Sequence, residues 1–253
     1  MVLRVEGISK RFGGYLALDD VSCEIEDSRI HALIGPNGAG KTTLFNVISG
    51  MLRPTAGAVL FLGRNYTGWR PDLVSAMGIA RNFQQVRLFP GLSVIENIAI
   101  GCHGPSGGNA WHTLLRLGLL ERNAERAAHE KASELLGFVG IKLRSEVLPS
   151  ELTLVDQRRL EIARALAGGP RLLLLDEPAA GMNPSEVAEL GDLIRRIRSS
   201  GIAVLLVEHN MRLVMNVAER ITVLSAGRVI ADGAPADIQK DEAVISAYLG
   251  STS

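Results

Sequence analysis

The chain has 253 residues, 47% of them hydrophobic, and its 27 basic and 27 acidic side chains give a formal net charge of zero. That length buries the core of one domain, or of one domain carrying a subdomain, and the neutral balance gives no global electrostatic reason to expect nucleic acid or an anionic membrane surface as partner. The two cysteines, Cys23 and Cys102, form neither a CxxC nor a spaced framework, which fits a reduced compartment and argues against a metal site built on them. No apolar run reaches the roughly 18 residues of a transmembrane helix. The residues 1–10 lack a charged segment followed by a long apolar stretch, so a cytoplasmic chain with at most peripheral membrane contact is expected.

In chain order, strands are expected at residues 3–5 and 21–25, and the apolar run at 30–34 stops at Gly35 as a buried strand would. After Pro36-Asn37-Gly38-Ala39-Gly40 the pattern turns helical, with Leu44, Val47, Ile48 and Met51 three and four residues apart. Residues 95–148 read as mostly helical, broken by Gly, Pro and Ser at 104–108 and strongly helical at 119–136. From Arg171 onward, apolar runs at 172–175, 203–207 and 221–224 alternate with helices starting after Asn183-Pro184 and around Asn210, the rhythm of a parallel α/β sheet.

The strongest chemical signal is the segment from Gly35 through Gly40, Lys41 and Thr42, a full GxxxxGK[ST] phosphate loop between a strand and a helix. Glycines let the backbone curl so that its N–H groups meet phosphate oxygens, Lys41 adds positive charge, and the next helix presents its positive end. The Thr42 hydroxyl suits Mg²⁺. A glycine-rich turn that binds nothing is the plain alternative, and all four fixed positions at a correctly placed turn argue against it.

Downstream, Leu172-Leu173-Leu174-Leu175 runs into Asp176-Glu177-Pro178, placing two carboxylates at the end of an apolar strand where unpaired acids are costly to bury. Asp176 can reach Mg²⁺, and Glu177 can accept a proton from a water attacking a γ-phosphate. Alone, this is a common acidic turn; beside a phosphate loop each motif raises the odds of the other.

An aspartate followed by glutamate after the strand resembles the ABC ATPases rather than G proteins or kinases. That resemblance implies an α/β P-loop NTPase core with an N-terminal antiparallel β subdomain, and an inserted helical subdomain at about 95–165 within a single nucleotide-binding domain spanning 1–253. It implies ATP and Mg²⁺ as ligands. Phe12 falls where the family stacks an aromatic on adenine. Gly35, Pro36, Asn37, Gly38, Ala39, Gly40, Lys41, Thr42 and Thr43 fall in the phosphate loop, and Gln84 resembles the glutamine that touches Mg²⁺ and reports nucleotide state to a membrane partner. The metal set implied is Thr42, Gln84 and Asp176. Ala180-Gly181-Met182-Asn183 resembles the loop that crosses to the opposite subunit, with asparagine where aspartate is frequent. His209 resembles the switch histidine that contacts the γ-phosphate, so Lys41, Glu177 and His209 form the implied catalytic set.

One motif departs from the family. The signature Leu-Ser-Gly-Gly-Gln reads here Leu152-Thr153-Leu154-Val155-Asp156. Thr153 can still offer a hydroxyl in trans to ATP on the other subunit. Leu154 and Val155 carry side chains where close backbone approach favours glycine, and Asp156 brings negative charge toward a phosphate. Thr153-x-x-Asp156 is equally an ordinary capping box for the following helix. The altered cap suggests pairing with a different ATPase chain whose signature is intact, a heterodimer rather than a homodimer.

Arg81 to Phe89, Ala180 to Glu186, Val207 to Met211 and the tail Val244-Ile245-Ser246-Ala247-Tyr248-Leu249-Gly250 resemble the ATPase subunits of branched-chain amino acid importers. This implies two permease subunits, a second ATPase subunit, indirectly a solute-binding protein, no nucleic acid, and a place on the inner face of the cell membrane. Urea, amides or other small solutes remain open as cargo. The apolar cluster Val86, Leu88, Phe89 and Pro90 fits either a permease contact or core packing. Two rival functions stand beside this one: a non-transport ABC ATPase, whose paired cassettes, coiled coils or basic arms are not seen, and a degenerate cassette that binds ATP with little hydrolysis.

Overall fold

The structure, a computed structural model, describes residues 1–82, 88–102, 119–142 and 146–249, with the backbone alone at 119–125 and 249. Its strands in chain order are β1 Leu3–Phe12, β2 Tyr15–Ile25, β3 Ile30–Ile34, β4 Ala56–Phe61, β5 Arg64–Asn65, β6 Ile79–Arg81, β7 Leu172–Asp176, β8 Ala203–Val207, β9 Arg220–Ser225 and β10 Arg228–Gly233. The chain forms two compact units, Met1–Val74 with Arg171–Ser253, and Ser75–Pro170. No helix among the described residues is long and apolar enough to cross a membrane.

In the first unit, β1 and β2 make an antiparallel hairpin and β1 pairs with β4 on its other side, giving the order β2-β1-β4-β5. Leu3, Val5 and Ile8 are buried while Arg4 and Glu6 point outward, the alternation of a sheet with one covered face. Both hairpin strands run well beyond the expected 3–5 and 21–25. The outer part of β1, Ser9-Lys10-Arg11, is polar, and pairing with Leu16 and Leu18 of β2 holds it extended. β4 was not expected at all: Ala56-Gly57-Ala58 has poor strand propensity, and its place is set by pairing with β1.

The same unit holds a second sheet in the order β10-β9-β3-β8-β7, parallel from β9 to β7, with β10 returning antiparallel. Every residue of β3, β7 and β8 is buried. Strands covered on both faces read as unbroken apolar runs, which is why these three were legible from sequence. Their carboxyl ends lie side by side, and in open α/β sheets that edge is where ligands bind.

A polar network crosses this sheet. His31 Nε2 lies 2.8 Å from Thr222 Oγ1, whose hydroxyl bonds Asp232, and Arg220 pairs with Asp232 in turn. Burial brings the imidazole from 6.5 down to about 4, with Arg220 adding to the fall and Asp232 opposing it. A folded-state pKa below the unfolded one means stability that is full above pH 6.5 and lost as pH falls toward 4. Chemical denaturation at pH 7 and pH 4.5 is expected to show a loss on the order of 2–3 kcal/mol from this group. In His31→Gln that component should vanish; an unchanged acid sensitivity would assign it to other groups.

The second unit is mostly helical, with helices Val94–Cys102, Leu119–Val139 and Leu154–Ala167. The first and last approach closely at Gly101, where an added Cβ would sit 2.3 Å from the Arg164 carbonyl oxygen. Asn97 is fully buried, its side-chain nitrogen 3.1, 3.0 and 2.9 Å from the carbonyls of Phe89, Leu92 and Ser93, and its oxygen accepting the Phe89 N–H at 2.8 Å. These bonds shape the loop that presents Phe89, which is 48% exposed, with the Arg164 guanidinium 5.7 Å from its ring centroid.

Candidate functional site

Gly35 follows β3 directly, and the loop to Gly40 leads into the helix Lys41–Ile48. Gly35, Gly38 and Gly40 all have positive φ, at 149°, 78° and 103°. At Gly40 a Cβ would lie 2.7 Å from the Ala17 carbonyl oxygen. The Gly227 N–H donates to Ala39 O at 3.0 Å, tying the loop to the turn between β9 and β10. The Lys41 ammonium donates to the carbonyls of Gly35 and Pro36 at 2.7 and 2.9 Å. Burial lowers its pKa, and the nearby Glu177 charge raises it in part.

The carboxylates lie at the ends of neighbouring strands. Asp176 closes β7 at 4% exposure, and Glu177 follows with φ 48°, a left-handed backbone that is strained for a residue with a side chain. His209 lies beyond the end of β8, and its Nε2 is 2.6 Å from Glu177 Oε1. Against an ionised carboxylate that ring nitrogen carries the proton and donates. Glu208, not singled out from sequence as a site residue, joins the two loops. Its buried carboxylate accepts the N–H of Ala179 at 2.7 Å, of His209 at 2.9 Å and of Asn210 at 3.0 Å. The signal was available: an acid ending an apolar strand, the same argument applied to Asp176.

These residues fit a bound nucleotide. The helix Lys41–Ile48 starts at Gly40 with no side-chain cap and no acid in its first turn, so its leading N–H groups are free to meet an anion. The Thr42 hydroxyl and the Asp176 carboxylate are oxygen donors of the kind Mg²⁺ takes.

The ABC transporter family model matches residues 18–180, and a second, described as branched-chain amino acid ATP-binding cassette transporter, matches residues 228–252. The high-affinity branched-chain amino acid transport ATP-binding protein LivG of Salmonella typhimurium is 42% identical over 250 residues, covering 98% of each chain. BraF of Pseudomonas aeruginosa, of the same description, is 40% identical over the same shares. This chain belongs to the ABC transporter family. It is an ATP-binding, ATP-hydrolysing subunit of that family. Among solved structures, a nucleotide-free ABC transporter cassette and a cassette in its ADP conformation each superpose with a TM-score of 0.84 at 31% identity, covering 98% of both chains.

The remaining family positions fall as follows. Phe12 ends β1 with its ring 48% exposed and the Lys10 ammonium 5.1 Å from the ring centroid. Thr43 is the third residue of the phosphate-loop helix. Gln84 and Val86 lie outside the described residues. Asn183 caps the helix Pro184–Ser199, its amide oxygen accepting from Ser185 and Glu186 at 2.9 and 3.1 Å; an aspartate would accept the same bonds, so asparagine here is a like-for-like replacement. In the second unit, Thr153 Oγ1 accepts the Asp156 N–H at 3.1 Å and donates to Asp156 Oδ2 at 3.0 Å. Thr153 therefore caps the helix Leu154–Ala167, and its hydroxyl proton is engaged by Asp156 rather than the Asp156 carboxylate returning to the Thr153 N–H as in a full capping box.

Proposed function

We propose that this subunit drives import of branched-chain amino acids or a related small solute, from the inner face of the cell membrane, with two permease subunits and a second ATPase chain as partners. The observation that carries the hydrolytic reading is the 2.6 Å contact of His209 with Glu177, on the strand edge that also bears Lys41. In this reading the nucleotide phosphates occupy the loop Gly35 to Thr43, and the Lys41 ammonium moves from two carbonyls to phosphate oxygens. Thr42 and Asp176 would hold Mg²⁺, which supplies charge neutralisation when bound. Phe12 stacks on adenine. Glu177 takes the proton of the attacking water, and His209 orients that carboxylate and meets the γ-phosphate. The helical segment at 95–165 serves as the subdomain of a single cassette.

The partner reading rests on Thr153 and Asp156. A hydroxyl already donating to a carboxylate is a poor cap for a phosphate across a dimer, and the carboxylate itself repels it. We assign the competent composite site to this chain's Lys41, Glu177 and His209 facing an intact signature on a different ATPase chain. The solute reading is supported by the names of the relatives and by the branched-chain family match at 228–252. Steady-state ATPase activity tests the assembly: stimulation only on co-expression with candidate ATPase and permease chains is expected. Full cooperative activity of the chain alone would refute the asymmetric pairing, and binding without turnover in every combination would favour a cassette that only binds.

A further inference from the structure

The turn between β9 and β10 takes no part in the chemistry above, yet two other segments of the first unit meet on it. Arg228 pairs with Ser225 across the turn, which leaves Ala226 and Gly227 as its central residues, both left-handed at φ 45° and 79°. A two-residue hairpin turn of this kind closes by itself and ordinarily offers its central peptide groups to water. Here Gly227 is buried, and its N–H and C=O are both taken by other segments. The N–H donates to the Ala39 carbonyl of the phosphate loop at 3.0 Å, and the carbonyl accepts the Asp19 N–H of β2 at 2.8 Å. The next residue repeats the grip, since the Arg228 guanidinium donates to the Asp19 carboxylate.

Turn and phosphate loop pack against one ridge of β2. A Cβ at Gly227 would lie 2.8 Å from the Ala17 carbonyl oxygen, the atom that a Cβ at Gly40 would meet at 2.7 Å. What the arrangement fixes is the direction of a peptide. The Ala39–Gly40 unit is trans and planar, so its C=O and N–H point opposite ways. With the Ala39 carbonyl held toward Gly227, the Gly40 N–H faces away from the turn. Gly40 carries no side chain to restrain that peptide, so the restraint comes from outside the loop.

We propose that Gly227 and Arg228 are positioning residues for phosphate binding: anchored on Asp19, the β9–β10 turn holds the Ala39–Gly40 peptide with its N–H facing the phosphates. The proposal rests on the reading of this loop as the nucleotide site.

The Arg228 side chain is 69% exposed, so Arg228→Ala in the full chain removes the anchor without touching the core. Exchange of the Gly227 and Asp19 amides should speed about two- to fivefold, the range for an exposed ion pair. Kd for ATP and for inorganic tripolyphosphate, which reads the phosphate loop alone, should rise by the same factor of about two to five. In the co-expressed complex kcat should change less than about twofold, the pattern of lost uniform binding. Adding Asp19→Ala should cost nothing more, because both changes remove one contact, and Arg228→Lys should recover most of the affinity. Gly227→Ala, which drives a methyl into Ala17, should raise both Kd values at least about tenfold. The melting temperature of Arg228→Ala should stay within about 2 °C of wild type. Arg4→Ala, which breaks a 2.9 Å pair with Glu24 on the same hairpin, should leave both affinities unchanged. Wild-type tripolyphosphate affinity in Arg228→Ala and Gly227→Ala would overturn the proposal, as would a loss confined to ATP or one that only tracks a fallen melting temperature. Should the unaltered chain bind neither ligand, the site reading fails, and amide exchange in Arg228→Ala still decides whether the turn is anchored through Asp19.

Discussion

Replacing Glu177 with Gln is expected to leave ATP affinity within about twofold while lowering kcat roughly a hundred- to ten-thousandfold, the range for loss of a positioned general base. The amide keeps the shape of the side chain and still hydrogen-bonds the imidazole, so the 2.6 Å partnership with His209 has a substitute. What it cannot do is take a proton. The affinity half of the expectation follows from the position of Glu177 at the end of β7, apart from the loop Gly35 to Gly40 whose backbone would hold the phosphates. Nucleotide binding by fluorescence and phosphate release by the assembled complex check the two halves separately. Turnover within tenfold of wild type would remove Glu177 from the base role and shift attention to His209.

Gly35→Ala is expected to damage the chain itself. The new methyl would meet the Leu224 carbonyl oxygen at 2.0 Å and its carbon at 3.0 Å, and both are backbone atoms of β9, paired on both sides between β10 and β3. The φ of 149° adds conformational strain for any residue with a Cβ. Neither obstacle can be relieved by a rotamer change. A loss of at least about 3 kcal/mol is expected, with a fall in melting temperature of roughly 6–12 °C and no measurable nucleotide binding. Gly38→Ala makes the comparison: φ is 78° but nothing lies within 4 Å of an added Cβ, so only backbone strain of about 1–2 kcal/mol applies. Equal melting temperatures for the two variants would show that β9 yields and that the close approach is not what demands glycine.

The sequence by itself determined the parts whose physics is local or whose burial is complete. The phosphate loop was legible because glycine positions, a lysine and a strand-to-helix switch are contiguous, and β3, β7 and β8 because strands covered on both faces are apolar at every position. The acids Asp176 and Glu177 stood out because charge at the end of such a strand is costly without a use. Sequence left the segment Thr153 to Asp156 open between an altered phosphate cap and a helix cap. The fold formed the cap, since the Asp156 N–H has the Thr153 oxygen three residues away and needs no long-range partner.

Only the tertiary structure decided what depends on separated segments meeting. The first half of β4, Ala56-Gly57-Ala58, has little strand propensity of its own and is held extended by pairing with β1. Glu208 became a clamp on two loops only when the parallel pairing of β7 with β8 brought Ala179 beside it. The tail illustrates the same limit: Val244 of the helix Glu242–Leu249 is buried against Ala32 and Ile34 of β3, which lie at the other end of the chain, and no local pattern encodes that meeting. Propensity and periodicity report what a segment prefers alone, whereas contacts across the sheet are set by which strands pair and which faces they cover.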